Sequence, residues 1–343
     1  MMRLPWFGFR SPKTIKEAAA ILAAEGPRAM LLAGGTDLLP NMKRRHQTPA
    51  TLVALRQVQA LRNVANGKET NGEMRLGAGL TLNEIVANVR VRAQYTGLYQ
   101  AAAQVATVHL RNMGTLGGNL CLDTRCNYYN QNHEWRRAID FCLKKDGQIC
   151  WVATASKRCV ATSSTDTAPA LIALGATVQL VSVRGRREVA LANLYRNDGI
   201  DYLTRQPDEI LTEVKLPEPA GWKSTYWKLR RRGTFDFPVL GVAAAVKIAR
   251  DGTVQDARIA LGAVSSRPLA TEAGELLIGR KLTDDVIDEA CRKTAAVAKP
   301  MDNTDFDTYW RNDVVAEFAR YALREIRGDD MRATRLRIAR HAL

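Results

Sequence analysis

Five of the six cysteines in this 343-residue sequence lie between positions 121 and 159, a density typical of metal chemistry. Four of these are unevenly spaced and include no Cys-x-x-Cys pair: Cys126, Cys142, Cys150 and Cys159. That spacing disfavours a ribbon-type structural zinc site, whereas four thiolates on an irregular loop suit a cubane iron–sulfur cluster. Zinc and free buried thiols are the alternatives. Cys121 and Cys291 are predicted to be packed thiols.

Two Gly-Gly turns are the second feature with chemical potential, and each has a threonine beside it. The first runs Leu32-Ala33-Gly34-Gly35-Thr36-Asp37-Leu38, and the second runs Thr115-Leu116-Gly117-Gly118-Asn119. Backbone N–H groups exposed in such turns bind anions, and glycine lets a backbone approach a pyrophosphate closely. Neither turn matches the Walker A motif or the Rossmann glycine fingerprint. Two turns suit one flavin or nicotinamide dinucleotide held from two sides; plain strand-to-helix turns are the alternative.

Helices and strands alternate in the region that must position these turns. Capping-box patterns predict helices that begin after Thr14 and Thr81. Short apolar runs predict strands at Met30–Ala33, Thr51–Leu55 and Met74–Gly77. Between residues 122 and 162 no helical or strand periodicity persists. Something other than an apolar core must therefore hold the segment that contains the four cysteines.

A second domain is predicted to follow the proline-rich linker that ends at Gly221. Its alternating apolar segments fit an antiparallel sheet of three strands, at Tyr226–Arg230, Gly241–Ile248 and Ala257–Val264. Helical periodicity then predicts helices at Ala270–Leu277, Asp284–Val297 and Asp307–Arg327.

The chain is strongly basic, with a formal net charge of +15. The basic residues are spread along the chain without a helix-turn-helix, zinc-finger or RNA-recognition signature, so a nucleic-acid binder is not predicted. No apolar run reaches the roughly 18 residues that a membrane span needs. The first residues lack the apolar stretch of an export signal. We therefore expect a soluble, cytoplasmic protein.

With both Gly-Gly turns in this order, the chain resembles the FAD-binding medium subunit of the molybdenum hydroxylase (xanthine oxidase) family. That family carries an AGGT-type loop and a TxGGN loop, which the two turns match. The similarity continues through Asp166–Ala170, Asp236–Pro238 and Gly262–Leu269, and covers nearly the whole chain to Gly328. The resemblance implies an α+β fold. A two-part FAD-binding domain of the vanillyl-alcohol oxidase (PCMH) type would be followed by a C-terminal domain of antiparallel sheet and helices.

The resemblance also implies how the chain is divided. Residues 1–221 would form the FAD-binding domain, with 122–162 as a cysteine-rich insertion, 222–328 as the C-terminal flavoprotein domain, and 329–343 as a basic tail.

FAD would be held by residues 32–38 and 115–119, chiefly through backbone N–H groups of both turns. Asp166 would accept a hydrogen bond from a flavin-side hydroxyl, and Lys228 would lie near the flavin. No catalytic residue is expected on this chain, since the family's substrate pocket lies on another subunit.

The cysteine-rich insertion is similar to that of the 4-hydroxybenzoyl-CoA reductase beta subunit, which binds a 4Fe-4S cluster. The four-cysteine spacing is the same, so the implied ligands are Cys126, Cys142, Cys150 and Cys159. An aldehyde oxidoreductase branch of the family also carries a 4Fe-4S insertion, with a different spacing.

This similarity implies a role in electron transfer. A ferredoxin would deliver electrons to the 4Fe-4S cluster, and they would pass through FAD to 2Fe-2S clusters on a small subunit and to molybdopterin on a large subunit. There 4-hydroxybenzoyl-CoA would lose its phenolic hydroxyl. A dimer of heterotrimers is the implied assembly. We also predict that a basic surface docks an acidic ferredoxin, through Arg136, Arg137, Lys144 and Lys145.

Two other functions fit the same residues. In the first, the subunit serves an aldehyde or N-heterocycle hydroxylase similar to xanthine dehydrogenase, in which electrons flow outward from the molybdenum subunit. In the second, the chain is a non-redox interaction protein stabilised by zinc, which would carry no flavin.

Overall fold

Three β-sheets and the helices that cover them make up the described part of the chain, residues 3–67, 70–233 and 235–340 of a computed structural model. The strands are β1 (Gly8–Arg10), β2 (Ala29–Leu32), β3 (Thr51–Ala54), β4 (Val64–Asn66), β5 (Met74–Gly77), β6 (Thr177–Ser182), β7 (Gly185–Ala190), β8 (Ile210–Leu216), β9 (Trp222–Leu229), β10 (Leu240–Ile248), β11 (Val254–Gly262) and β12 (Leu269–Thr271).

The helices pack on these sheets and in the loops between the strands. They are α1 (Ile15–Glu25), α2 (Leu38–Lys43), α3 (Leu82–Ala87), α4 (Val89–Gln94), α5 (Thr96–Ala103), α6 (Val108–Arg111), α7 (Leu116–Leu120), α8 (His133–Ala138), α9 (Thr167–Ala173), α10 (Asp284–Val297), α11 (Thr308–Arg327) and α12 (Arg332–Arg340). Among the described residues, no helix combines the length and the apolar character needed to cross a membrane.

The first sheet is small and parallel, with its strands in the order β1-β3-β2. Helix α1 packs on it through Ala18 and Leu22. The helix begins where the Thr14 hydroxyl accepts the N–H of Glu17, as the capping pattern predicts. Strand β2 ends at Leu32, so the first Gly-Gly turn follows the carboxyl end of a parallel strand. Open α/β sheets bind ligands at this end.

The second sheet has five antiparallel strands in the order β4-β5-β8-β6-β7. Helices α3, α5 and α9 share its main hydrophobic core. The helix predicted after Thr81 divides into α3 and α4, because Asn88 leaves the helical conformation and its side chain accepts the N–H of Val91. Thr81 and Glu84 form the full capping box that the sequence predicts.

The third sheet is antiparallel, in the order β12-β11-β10-β9, and helices α10 and α11 cover one face. Its other face packs on α5 and α9. Along β10, Val242 and Ala244 belong to the core with α10 and α11, whereas Ala243 and Ala245 belong to the core of the five-stranded sheet. The alternation of a β-strand therefore joins two hydrophobic cores through one sheet.

The cysteine segment, residues 122–162, contains a single helix, α8, within the described part of the chain. Its two ends are held together by Arg125 and Thr162, whose backbone N–H groups donate to each other's carbonyls at 2.8 and 2.7 Å. This irregular structure agrees with the missing periodicity in the sequence. The predicted basic tail forms helix α12, and its residues 341–343 lie outside the described residues.

Candidate functional site

A cavity of about 1250 Å³ opens between the small parallel sheet and the five-stranded sheet, and both Gly-Gly turns line it. The predicted FAD-binding residues that line this cavity are Ala33, Gly34, Gly35, Thr36, Asp37, Leu38, Thr115, Gly117, Gly118, Asn119 and Asp166. Leu32, Leu116 and Lys228 are not part of the lining. The fold thus brings two distant turns to one cavity, as predicted.

Gly34 in the first turn lies directly against Met113 and Gly114, the two residues that precede the second turn. A Cβ at this position would lie 1.9 Å from the Met113 carbonyl oxygen and 2.9 Å from the Cα of Gly114. Gly117 is also crowded, since its Cβ would lie 2.8 Å from that of Ala78. Only glycine lets backbones approach this closely. Backbone packing at the cavity wall therefore explains the glycines at these positions.

The two turns differ in how many N–H groups they leave free. The backbone N–H groups of Gly34, Gly35, Thr36 and Asp37 donate to no acceptor among residues 3–67, 70–233 and 235–340. In the second turn, the N–H groups of residues 116–119 all donate within the protein, at 2.8–3.0 Å. The first turn therefore leaves four successive amides free for a phosphate, whereas the amides of residues 116–119, which were also expected to bind it, are already used within the protein. The second turn builds the wall.

Asn119 ties the second turn to the start of α9. Its Oδ1 atom accepts hydrogen bonds from the Thr165 hydroxyl at 2.8 Å, the Thr167 hydroxyl at 2.6 Å and the Thr167 N–H at 3.2 Å. Asp166 lies between these two threonines. The network therefore fixes the backbone from which the Asp166 side chain reaches the cavity.

Asp166 is buried in the cavity wall and is held by two donors. The Tyr226 hydroxyl donates to Oδ1 at 2.8 Å, and Lys228 Nζ donates to Oδ2 at 2.9 Å and to the Gln104 carbonyl at 3.0 Å. The carboxylate does not cap α9. Burial raises the pKa of Asp166 and lowers the pKa of Lys228, while their ion pair opposes both shifts. Lys228, predicted to lie near the flavin, is not part of the cavity lining and contacts it through Asp166.

Arg125 and Ser164 are cavity residues that the sequence did not single out. Arg125 is almost fully buried, forms an ion pair with Asp37 through Nη2 and donates from Nη1 to Asn41 Oδ1 at 3.4 Å. The Ser164 hydroxyl is buried without a hydrogen-bond partner in the described structure. A buried hydroxyl in a cavity wall calls for a polar partner. Neither residue belongs to a recognisable motif.

A second, smaller cavity is lined by all four predicted cluster ligands: Cys126, Cys142, Cys150 and Cys159. Each is a buried free thiol. Burial raises the pKa of Cys126 to about 12 and that of Cys159 to about 11. Across the described residues, no three His, Cys, Asp or Glu side chains are arranged to hold a metal ion. The thiols surround a cavity without converging on one point.

Lys144 and Asp123 form a buried ion pair in the wall that the two cavities share. Asp123 lines the large cavity and Lys144 lines the small one. Lys144 Nζ donates to Asp123 Oδ1 at 2.8 Å, the Thr124 hydroxyl at 2.6 Å and the Gly199 carbonyl at 2.5 Å. The Tyr129 hydroxyl donates to Asp123 Oδ2 at 2.9 Å. One hydrogen-bonded network therefore separates the cavities.

Asn303, in the loop between α10 and α11, joins the two arms of the cysteine segment. Its carbonyl accepts the N–H of Asn127 at 2.8 Å, and its Nδ2 donates to the carbonyl of Val160 at 2.5 Å. Asn127 follows Cys126, and Val160 follows Cys159. A residue far along the chain thus holds two of the thiols in place.

Two of the four residues predicted to form an exposed docking surface for ferredoxin are buried. The Arg136 and Lys144 side chains are only 1% and 6% exposed. Arg136 is buried because its Nη2 donates to the Arg44 carbonyl at 3.1 Å, and Lys144 because it pairs with Asp123. Arg137 is exposed, and Lys145 pairs with Asp146 at the surface.

Two family models account for most of the chain. Residues 5–219 match the FAD binding domain in molybdopterin dehydrogenase, and residues 224–326 match the CO dehydrogenase flavoprotein C-terminal domain. The first match contains both Gly-Gly turns and most residues that line the large cavity. The second begins within β9 and ends within α11.

Curated relatives match the chain over most of its length. The chain is 34% identical to the aldehyde oxidoreductase FAD-binding subunit PaoB of Escherichia coli, over 75% of this chain and 81% of the relative. It is 29% identical to the nicotinate dehydrogenase FAD-subunit of Eubacterium barkeri, over 82% and 83%. The carbon monoxide dehydrogenase medium chain of Hydrogenophaga pseudoflava is 27% identical, over 93% and 96%.

Solved structures agree with the sequence relationships. The carbon monoxide dehydrogenase of Hydrogenophaga pseudoflava superposes with a TM-score of 0.76 at 26% identity, covering 94% of this chain and 97% of that one. A Cu,Mo-CO dehydrogenase superposes with a TM-score of 0.78 at 25% identity, over 95% and 99%. These matches confirm the predicted fold class and FAD binding. The chain belongs to the FAD-binding medium subunits of the molybdenum hydroxylase (CO dehydrogenase/xanthine oxidase) family.

Proposed function

We propose that this chain is the electron-transfer subunit of a molybdenum-dependent enzyme that oxidises an aldehyde or an N-heterocycle, with electrons flowing outward through this subunit. The observation that carries the proposal is the first Gly-Gly turn, whose free N–H groups line a cavity larger than the roughly 300–1000 Å³ of an ordinary ligand pocket. The relatives that act on an aldehyde and on nicotinate support the substrate class.

The residues of the large cavity fit FAD, which supplies the exchange of one or two electrons when it is bound. The free N–H groups from Gly34 to Asp37 would hold the pyrophosphate. The Ser164 hydroxyl, which has no protein partner in the described structure, would bond a polar atom of the cofactor. Asp166 would accept from a cofactor hydroxyl. Lys228 would hold that carboxylate in position through its ion pair, from the side that faces away from the cavity.

Reductive dehydroxylation of 4-hydroxybenzoyl-CoA is the second candidate. The shared spacing of the four cysteines favours it. The outward direction of electron flow is better supported, because the relatives reported above include an aldehyde oxidoreductase and dehydrogenases of nicotinate and carbon monoxide. Substrate and direction both depend on the molybdenum subunit rather than on this chain.

We further propose that the cysteine pocket holds a 4Fe-4S cluster. The four thiols line a single cavity, and cubane clusters take four cysteine ligands. A cubane is larger than one ion, so its thiolates stand farther apart than those around a single zinc. The Lys144 ammonium lines the same cavity and partly opposes the rise that burial causes in the pKa of Cys159. Because the pocket shares a wall with the flavin cavity, a cluster bound there would lie close to FAD.

The partners we propose are a small 2Fe-2S subunit and a large molybdopterin subunit, in a dimer of heterotrimers. Relatives described as medium chains support this assembly. A ferredoxin is the proposed external electron carrier. The exposed cations of the cysteine segment, Arg137, Lys157 and Arg158, are the residues that would meet it.

The test is to purify the complex without air from cells that express all three subunits. FAD, iron, acid-labile sulfide, zinc and molybdenum are then measured, and a panel of aldehydes and N-heterocycles is assayed with an artificial electron acceptor. 4-Hydroxybenzoyl-CoA is assayed with a low-potential donor. Oxidation of a panel member, with FAD present, supports the main proposal.

Other outcomes separate the alternatives. Turnover of 4-hydroxybenzoyl-CoA alone supports the reductase. Zinc without flavin supports the interaction protein. Loss of about four irons per chain in Cys142→Ser supports the cluster, whereas equal iron in wild type and variant contradicts it. Cys291→Ser is the matched control, because Cys291 is buried in the other domain core.

A further inference from the structure

Strand β9 is an edge strand that has to be covered by side chains. Among the described strands it pairs with β10 alone. At Tyr226 the free backbone groups are both taken: the N–H donates to Gln100 Oε1 at 2.7 Å, and the carbonyl accepts from two nitrogens of Arg335 at 3.3 Å. Edge strands with unpaired groups require such protection. Arg335 therefore belongs to the packing of β9, although it lies in α12.

Arg335 is fixed by several contacts at once. Its guanidinium donates to Glu325 at 2.7 and 2.5 Å and to the Thr225 hydroxyl at 2.8 Å. Its Cζ lies 4.0 Å from the centre of the Trp227 ring, and Trp227 Nε1 donates to Glu325 Oε2 at 3.0 Å. Bidentate carboxylate pairs and aromatic stacking hold arginine in a defined orientation.

Neighbouring residues of β9 serve opposite cores. Trp227 packs into the core under α11, and Tyr226 packs into the core of the five-stranded sheet. Tyr226 and Lys228 are the two residues that hold the Asp166 carboxylate at the wall of the flavin cavity. A shift of β9 along its free edge would move both donors together.

We propose that Arg335 is a positioning residue for the flavin site. By clamping the edge of β9 from α12, it sets where Tyr226 and Lys228 hold Asp166. Arg335 lies beyond residue 326, where the matched C-terminal domain ends, so a segment outside that domain contacts the strand that holds Asp166. The proposal needs only the FAD site, and it does not depend on the substrate or on a cluster.

The experiment compares variants of the full chain in its purified complex. Arg335→Met is expected to raise the dissociation constant for FAD about tenfold, a loss of about 1.4 kcal/mol, and to shift the visible flavin spectrum and midpoint potential. Arg335→Lys should restore part of each change, because it keeps the charge. In an Asp166→Asn background, Arg335→Met should add little, since both changes act through the same carboxylate.

Arg332→Met is the matched control, because the Arg332 side chain is 91% exposed and pairs with Asp330 at the surface; it should leave all values unchanged. Glu325→Gln keeps an acceptor oxygen for Trp227 and Thr225 but removes the charge that pairs with Arg335. It should raise the FAD dissociation constant about threefold. A lower melting temperature with unchanged FAD affinity, spectrum and potential would overturn the proposal, as would additive effects of Arg335→Met and Asp166→Asn.

Discussion

Arg125 and Asp37 form a largely buried ion pair that joins the cysteine segment to the first Gly-Gly turn. Arg125 stands next to Cys126 in the chain, and Asp37 lines the flavin cavity. The Arg125 guanidinium also lies 4.7 Å from the centre of the Phe237 ring. The segment that carries the thiols is thus attached directly to the loop that has free amides for a pyrophosphate.

Removing the arginine of this pair should loosen both sites. Arg125→Met leaves the Asp37 carboxylate without its cation, so we expect the free energy of unfolding to fall by about 3 kcal/mol. This is the lower end of the range for a buried ion pair, because Asp37 is partly exposed. FAD retained after gel filtration should also fall. Urea unfolding and flavin absorbance give the two values. Arg280→Met removes an exposed pair with Glu289, away from the cavity, and should cost less than about 1 kcal/mol. Equal losses in the two variants would contradict the role of the Arg125 pair.

Gly34→Ala should push the first Gly-Gly turn away from Met113 and Gly114, which precede the second turn. The new Cβ would overlap the Met113 carbonyl, and relief of that overlap should cost about 2–3 kcal/mol and lower the FAD content of the purified chain. Gly8→Ala is the control, since the nearest atoms to its Cβ are 3.7 Å away. Flavin-to-protein ratio and melting temperature decide the matter. A Gly34→Ala protein with its full content of bound FAD would show that the close contact is not required for FAD binding.

Lys144→Met should destabilise the chain far more than Lys145→Met. Lys144 and Asp123 are almost fully buried, and an unpaired buried charge costs about 3–5 kcal/mol. Lys145 pairs with Asp146 near the surface, where a pair contributes at most about 1 kcal/mol. Urea unfolding of both variants tests the difference. Adding Asp123→Asn to Lys144→Met should recover part of the loss; if it deepens the loss, the pair is not the cause.

His46 should make the chain less stable in mild acid. The ring is stacked on Tyr129 at 4.3 Å and bonded to the Gln131 carbonyl at 3.1 Å, and burial lowers its pKa from 6.5 to about 4. Between these values the unfolded chain binds the proton and the folded chain does not, so stability is complete above pH 6.5 and falls as the pH drops toward 4. From pH 7 to pH 5 the loss attributable to His46 should be about 2 kcal/mol.

His46→Gln should remove that part of the pH dependence, and His109→Gln, at an exposed position, should retain it. Urea unfolding of the three proteins at pH 7 and pH 5 gives the comparison. An unchanged pH 7 to pH 5 difference in His46→Gln would place the acid sensitivity elsewhere.

The sequence by itself determined the local features of this protein. Both Gly-Gly turns, the capping box at Thr81 and helix α10 with bounds Asp284–Val297 follow from short-range patterns. These features are readable because a tight turn or a helix start depends on neighbouring residues only. The family resemblance, carried by the two turns, led to the correct fold class and to FAD.

Only the tertiary structure decided what each charged residue does. Arg136 and Lys144 read as surface cations, yet the fold buries both beside carbonyls and a carboxylate. The sequence does not reveal that the packing of β9 on α9 pairs Lys228 with Asp166. Arg335 reads as part of a basic tail, yet it covers an edge strand. The reason is physical: burial and pairing are set by residues far apart in the chain, and a cation's sequence neighbours do not reveal which carboxylate will meet it.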